Sequence, residues 1–147
     1  MTFGGKGYWE VIGKVSASGA ESLIGTALDE GVNMIDTADV YSEGESEKHV
    51  GAALAALDRP RDEILVATKV RLRTGPGPNA VGLSHKHILD SIDASLKRLK
   101  LDYMISTRST AQTSAHPSKR PCGHSTTSCA AARCAISVTV IRWHGRR

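Results

Sequence analysis

An α/β fold built on a parallel sheet is predicted by three observations. Helical and extended patterns alternate along the first 103 residues, which is typical of parallel sheets and barrels. One extended run, residues 63–70, is mostly apolar, as expected for a strand that is buried on both faces. Residues that commonly begin or end helices flank each helical pattern.

The first helix and strand are predicted within residues 18–36. Ser18 and Glu21 have the spacing of a capping box, in which each side chain hydrogen-bonds a free backbone N–H at the helix start. Gly31 is expected to end the helix, because glycine readily adopts the left-handed conformation found there. Residues 32–36 then form a short strand. Apolar residues recur on one face of the helix at Ala20, Leu23, Ile24, Ala27 and Leu28.

A second helix and strand follow the first pair. Ser46 is predicted to cap the helix, and the segment around Pro60 separates this helix from the strand at residues 63–70. The next segment, residues 74–79, is rich in glycine and proline and is interpreted as a turn or a lid at the mouth of the sheet.

A third helix is predicted to begin after Ser84. His85 and His87 lie in its first turn and are expected to be solvated. Residues 101–103 are predicted to start the next strand. The apolar face of this helix comprises Ile88, Ile92, Leu96 and Leu99.

Composition divides the chain into two segments at residue 103. Residues 1–103 contain 12 basic and 15 acidic side chains, a net charge of −3, whereas residues 104–147 contain seven basic side chains and no acidic one. The chain has no apolar run of the roughly 18 residues that a membrane span needs, and its first residues do not resemble a secretion signal. We therefore expect a cytoplasmic protein without a membrane partner.

The basic segment, residues 104–147, is expected to be a largely disordered tail. Its one apolar run, residues 135–141, is either a strand or an aggregation-prone stretch. The positive charges are spread out without a cluster, so nucleic-acid binding is not predicted. Its four soft zinc ligands lack the paired C-x2-C spacing of common sites, so no metal site is predicted. These ligands are Cys122, His124, Cys129 and Cys134.

Three polar side chains near strand ends suggest a chemistry. Asp36 and Tyr41 follow the first strand, and Lys69 lies at the end of the next. In a parallel fold these positions share the rim where barrel enzymes carry their active sites. Carbonyl reduction needs a proton donor, and a phenol becomes a better acid beside an ammonium group. The alternative is that Asp36 merely caps a turn and that Lys69 merely reaches solvent.

The residues that carry these groups resemble the aldo-keto reductase family. Residues 31–47 match the family pattern G-x-N-x-I-D-T-A-x-x-Y-x-x-G-x-S-E at fixed spacing, and residues 67–69 resemble the lysine-bearing strand. Residues 1–5 are similar to the loop after the first barrel strand. The branch that these residues resemble is that of bacterial oxidoreductases related to potassium-channel β subunits.

The resemblance implies a TIM (β/α)8 barrel, of which residues 1–103 would supply three to four units. It also implies NADPH as cofactor and reduction of an aldehyde or ketone, with Tyr41 as proton donor, Lys69 as its activator and Asp36 as the partner of Lys69, near the nicotinamide ribose. A fourth family residue is a histidine on the next strand, and Thr110 stands at its position. Oligomeric state is not implied.

The departure after Tyr103 is interpreted as a shift of reading frame. Codons can be chosen for residues 104–111 that, after insertion of one base, encode the series IDLYQIHG, which is the family strand with its histidine. This hypothesis fails if sequencing of the gene shows that no single-base change restores an open frame. A barrel of this class needs eight strand-helix units, and residues 1–103 would supply only part of them, so we expect the chain alone to be inactive and poorly folded. The alternatives are a non-catalytic binding module and a decayed gene product without function.

Overall fold

The computed structural model describes residues 2–107 and 138–142. Its helices are α1 (Ala17–Asp29), α2 (Glu45–Leu57) and α3 (His85–Leu99), and its strands are β1 (Met34–Asp36), β2 (Leu65–Thr68), β3 (Tyr103–Thr107) and β4 (Val138–Arg142). Short 3-10 turns lie at Gly7–Val11, Tyr41–Gly44 and Arg61–Glu63. The alternation of helices and strands that the sequence predicts is confirmed.

The four strands form one sheet in the order β1-β2-β3-β4. Strand β2 pairs in parallel with both β1 and β3, which confirms the predicted parallel sheet. Strand β4 pairs antiparallel with β3, from Val138 opposite Thr107 to Arg142 opposite Tyr103. Residues 138–142 are therefore not part of a disordered tail, and the strand alternative for the run at 135–141 agrees with this pairing.

The end of α1 and the start of α3 have the capping residues that the sequence predicts. Gly31 follows α1 with φ +85° and donates its N–H to Leu28, while Val32 donates to Ala27, as in a Schellman cap. The side chain of Ser84 accepts a hydrogen bond from the His87 N–H at the start of α3. Both predictions are confirmed, because each signal depends only on residues within one turn.

Two predicted caps were wrong. Helix α1 begins two residues earlier than expected, because Ser16 rather than Ser18 is the residue whose side chain accepts the Gly19 N–H. Helix α2 begins at Glu45, and Ser46 is fully buried inside its first turn. The Ser46 hydroxyl accepts the N–H of Phe3, so this serine fastens the N-terminal segment to the helix instead of capping it.

The apolar core lies between the sheet and the three helices. It joins residues of all three helices to the inward side chains of the strands, which fixes the position of the strand ends. Its fully buried members include Ile24, Val50, Val66, Leu99 and Met104. In the part of the chain that the structure describes, no helix has the length and apolar character needed to cross a membrane.

Candidate active site

The ends of β1 and β2 bring Asp36 and Lys69 together. Asp36 is the last residue of β1 and pairs with Ala67 of the parallel strand β2. Lys69 comes immediately after the end of β2, so both residues lie at the same edge of the sheet. The Lys69 ammonium forms an ion pair with the Asp36 carboxylate and donates a further hydrogen bond to the Thr37 carbonyl at 2.9 Å. The lysine is thus held at the rim of the sheet by two acceptors of the adjacent strand.

Tyr41 lies on the same rim, in the turn between β1 and α2. Its backbone N–H donates to the Ala38 carbonyl at 3.2 Å, which folds the chain back over the strand end. The Lys69 Nζ lies 5.5 Å from the centre of the Tyr41 ring. The ring of Trp9 packs edge-on against Tyr41 with the ring centres 4.7 Å apart. The structure therefore brings all three predicted site residues together.

Left-handed backbone follows Tyr41 immediately. Ser42 and Glu43 have φ of 51° and 56°, and Gly44 has φ of 89°. Such a conformation costs roughly 1–3 kcal/mol for a residue other than glycine, and it persists where the surrounding structure holds it. Here burial of Ser42 and Gly44 and the N-terminus of α2 hold the turn, which fixes the direction in which Tyr41 leaves the strand.

A buried polar network supports the rim from below. Glu47 of α2 is fully buried, and its carboxylate accepts a hydrogen bond from the Thr68 hydroxyl at 2.6 Å. The other carboxylate oxygen accepts from Arg98 Nε at 2.6 Å, and the same guanidinium donates to the Ser95 hydroxyl at 3.1 Å. Because Thr68 precedes Lys69, this network ties the lysine strand to α2 and α3.

Asp39 is a further acidic residue of the site. Its backbone N–H donates to the Lys69 carbonyl at 3.1 Å, and its side chain is only 4% exposed. Burial, reinforced by the nearby Glu47 carboxylate, raises the pKa of Asp39 to about 7, against the opposing effect of Arg98 and a hydrogen bond from Ser91. Asp39 therefore exchanges its proton near neutral pH.

A small cleft opens beside the rim. Its volume is about 160 Å³, and its lining combines aliphatic side chains with the reactive groups Tyr41 and Lys69. Trp9 and Leu72 supply part of its apolar wall. Among the described residues no group of three or more His, Cys, Asp or Glu side chains could hold a metal ion.

Some residues named from the sequence lie outside the described ranges 2–107 and 138–142. Thr110, which stands at the histidine position, is one of them. The four zinc-ligand types considered above, between residues 122 and 134, also fall there.

Sequence reasoning also missed residues of the site. Asp39, Glu47 and Arg98 were given no role, and His87, expected in solvent, is only 2% exposed. His87 begins a stripe of buried polar side chains on α3, since Ser91 and Ser95 follow at four-residue spacing. The four-residue spacing of these polar side chains is visible in the sequence. However, they lie next to the apolar face of α3, and the apolar pattern dominated the interpretation of this helix.

The chain is similar in sequence to a known protein family. The sequence pattern of the Aldo/keto reductase family matches residues 1–105, and the chain belongs to that family. It is 41% identical over 99 residues to a probable voltage-gated potassium channel subunit beta of Arabidopsis thaliana. The aligned part covers 67% of this chain and 30% of that protein.

Two further relatives are similar to the same extent. A putative voltage-gated potassium channel subunit beta of Schizosaccharomyces pombe is 39% identical over 105 residues, which cover 71% of this chain and 28% of the relative. A probable subunit of the same kind from Oryza sativa subsp. japonica is 39% identical over 99 residues, covering 67% of this chain and 30% of the relative. The resemblance to the channel-β branch is thereby confirmed, and the chain spans about 30% of the length of these relatives.

Proposed function

We propose that the rim formed by Asp36, Tyr41 and Lys69 is the proton-donating part of an active site for NADPH-dependent reduction of aldehydes or ketones. The observation that carries the proposal is the Lys69 ammonium, which is held by Asp36 and Thr37 and lies 5.5 Å from the centre of the Tyr41 ring. The four-stranded sheet would then be part of a (β/α)8 barrel, as membership of the family implies.

Each residue has a separate task in this reaction. The Tyr41 hydroxyl gives its proton to the carbonyl oxygen as negative charge develops there. The Lys69 ammonium stabilises the phenolate that remains. Asp36 and the Thr37 carbonyl keep that ammonium in place, because a lysine side chain is otherwise flexible. The hydride that reaches the carbonyl carbon is the contribution of bound NADPH.

One residue of the rim, Asp36, is suited to contact NADPH. The Asp36 side chain is 48% exposed at the strand end while it pairs with Lys69, so its carboxylate is accessible to a ribose hydroxyl. We propose Asp36 as the contact to the nicotinamide ribose. The substrate is a small molecule that enters the cleft beside Trp9 carbonyl-first.

We propose in addition that the 147-residue chain alone does not turn over, since Thr110 occupies the position of the fourth catalytic residue. The chain is mixed with NADPH and an aromatic aldehyde, and the loss of NADPH absorbance is followed. We expect no consumption above the blank. Turnover by the purified chain, abolished by Tyr41→Phe, would disprove its inactivity and support the assigned chemistry.

The role of Tyr41 is tested in a hybrid protein. Residues 1–105 of this chain replace the matching segment of the Arabidopsis relative, which supplies the remaining barrel. We expect the hybrid to reduce the aldehyde with NADPH, and Tyr41→Phe to lower kcat by roughly 100-fold or more, the usual contribution of a positioned general acid. Tyr8→Phe removes the same hydroxyl from a tyrosine that is 88% exposed and should leave kcat unchanged. Equal rates for all three proteins would exclude Tyr41 as the acid.

A further inference from the structure

The first turn of α2 carries two polar side chains that reach the strand ends below the rim. Ser46 and Glu47 are both fully buried. The Ser46 Oγ lies 3.3 Å from the Oγ1 of Thr37, and the Glu47 Oε1 accepts a hydrogen bond from the Thr68 hydroxyl at 2.6 Å. A single helical turn therefore holds the ends of both β1 and β2.

These contacts act directly beside the ion pair of the rim. Thr37 follows Asp36 in the sequence, and Thr68 precedes Lys69. Successive side chains of a strand point to opposite faces, which explains why both threonines are buried while Asp36 and Lys69 are partly exposed. The turn of α2 thus holds the rim from its buried side and leaves the reactive groups open.

The position of the Lys69 ammonium depends on the distance between these two strand ends. Lys69 follows β2, but both of its acceptors, the Asp36 carboxylate and the Thr37 carbonyl, belong to the end of β1. A lysine side chain is flexible, so the ammonium keeps one position only while these acceptors stay within its reach. The contacts of Ser46 and Glu47 fix that distance.

Arg98 of α3 holds the buried Glu47 carboxylate. Its Nε donates to Glu47 Oε2 at 2.6 Å. A buried carboxylate without a partner is strongly unfavourable, yet a buried ion pair adds little net stability compared with apolar residues of the same size. The pair is therefore expected to contribute geometry, because Arg98 engages one carboxylate oxygen and leaves the other directed at Thr68.

Arg98 also packs against the turn that carries Tyr41. Gly44 ends this turn, and a Cβ atom added to it would lie 2.8 Å from the Cδ and 3.1 Å from the Nε of Arg98. The backbone of the turn and the arginine side chain are therefore in close contact. One side chain of α3 supports both the turn of Tyr41 and, through Glu47, the strand of Lys69.

We propose that Glu47 and Arg98 are positioning residues, which set the distance between the Lys69 ammonium and the Tyr41 ring. The inference rests on the proposed reaction and deepens it, because that reaction needs the ammonium beside the phenol. Both residues act through others, Glu47 through Thr68 and Arg98 through Glu47 and the turn of Tyr41. Loss of either contact is expected to leave the fold in place and to free the ammonium.

The test measures how firmly the Lys69 ammonium is held. The 147-residue chain is labelled with ¹⁵N in its lysines, and exchange of the Lys69 ammonium protons with water is followed by NMR. In the parent protein this exchange should be slower than at the exposed Lys100. Thr68→Val removes the hydroxyl that bonds Glu47 and should accelerate it about fivefold, as expected for one lost hydrogen bond. Thr68→Ser keeps the hydroxyl and should keep the parent rate.

Tyr103→Phe distinguishes positioning from general stabilisation. It removes a hydroxyl that donates to the Arg61 carbonyl at 3.1 Å, at the start of β3 and therefore at the opposite end of the sheet from the rim. We expect this variant to be less stable to urea, as Thr68→Val is, and to keep the parent exchange rate at Lys69. Equal acceleration in both variants would mean that these contacts only stabilise the fold, and the proposal would be wrong.

Arg98→Lys keeps the test decisive if Thr68→Val does not fold. Lysine retains the positive charge beside Glu47 but lacks the planar fork of arginine, so exchange at Lys69 should become about threefold faster. Arg73→Lys makes the same change at an exposed arginine and should have no effect. Parent rates in both Thr68→Val and Arg98→Lys would overturn the proposal.

The hybrid protein extends the test to turnover. Thr68→Val should lower its kcat about tenfold or more and leave the KM of the aldehyde unchanged, because substrate contacts remain while the ammonium is misplaced. An unchanged kcat in a hybrid that depends on Tyr41 would contradict the positioning role. If Tyr41→Phe itself had no effect on kcat, the proposed reaction would fail, and the exchange rates, which need neither cofactor nor substrate, would still decide the positioning.

Discussion

Substitution of Gly51 by alanine is expected to destabilise the protein by about 3 kcal/mol or more, the upper end for overpacked interiors. Gly51 lies in the middle of α2, where α2 crosses the end of α3. A Cβ atom at this position would lie 2.7 Å from the carbonyl carbon of Leu99 and 2.8 Å from its Cα. Both are backbone atoms that cannot rotate away, so α2 and α3 would have to separate.

Urea unfolding followed by circular dichroism measures this loss, and Gly25→Ala is the matched control. Gly25 is also a buried glycine within a helix, but its added Cβ would meet only the end of the Leu57 side chain, at 3.2 Å. Alanine is favoured over glycine in helices by about 1 kcal/mol, which offsets that mild contact. We expect Gly25→Ala to stay within about 1 kcal/mol of the parent protein. Equal stability of the two variants would contradict the close approach of α2 to α3.

Gly51 also shows why some of this fold could be predicted from sequence and some could not. A glycine inside a helix lowers the helix propensity. Gly51 is nevertheless required because its lack of a Cβ lets the backbone of Leu99 approach α2, and Leu99 lies 48 positions away along the chain. By contrast, the end of α1 at Gly31 and the start of α3 at Ser84 depend on neighbours within one turn. Local signals were therefore predictable, whereas helix crossings were not.

The wrong cap at Ser46 has the same origin. Serine is a preferred N-cap residue, so a serine near a predicted helix start is interpreted as the cap. Here Phe3, which is 43 residues away, supplies a backbone N–H to the Ser46 hydroxyl. This tertiary contact gives the Ser46 hydroxyl a different hydrogen-bond partner from the one that the local sequence predicted.

The residues of the candidate site likewise fall into two groups, those that could be predicted from the sequence and those that could not. Strand order in a parallel sheet predicted that Asp36, Tyr41 and Lys69 lie on one rim, and the resemblance to the family implied their roles. Glu47 and Arg98 were not predicted, since their pairing joins helices 51 residues apart. Burial of His87 likewise depends on how α3 is rotated against the sheet, and the apolar stripe alone did not define that rotation.

The second large effect is expected at Asp39 and depends on pH. The pKa of Asp39 is raised to about 7 by burial and by the Glu47 carboxylate, whereas an unfolded aspartate titrates near 4. Between these two values the folded protein binds a proton that the unfolded chain has released. The resulting stabilisation is complete below about pH 4 and is lost as the pH rises to about 7.

The Asp39→Asn variant isolates this contribution, because asparagine keeps the shape of the side chain and does not titrate. From pH 5 to pH 8 the parent protein should lose about 3 kcal/mol relative to the variant, since each pKa unit corresponds to about 1.4 kcal/mol. Urea unfolding at both pH values gives the difference, and comparison with the variant cancels the other titrating groups. Asp93→Asn, which changes an exposed carboxylate of α3, should follow the parent at both pH values. If Asp39→Asn instead followed the parent as well, the buried carboxyl would already be ionised at pH 5, and Arg98 rather than burial would determine its charge.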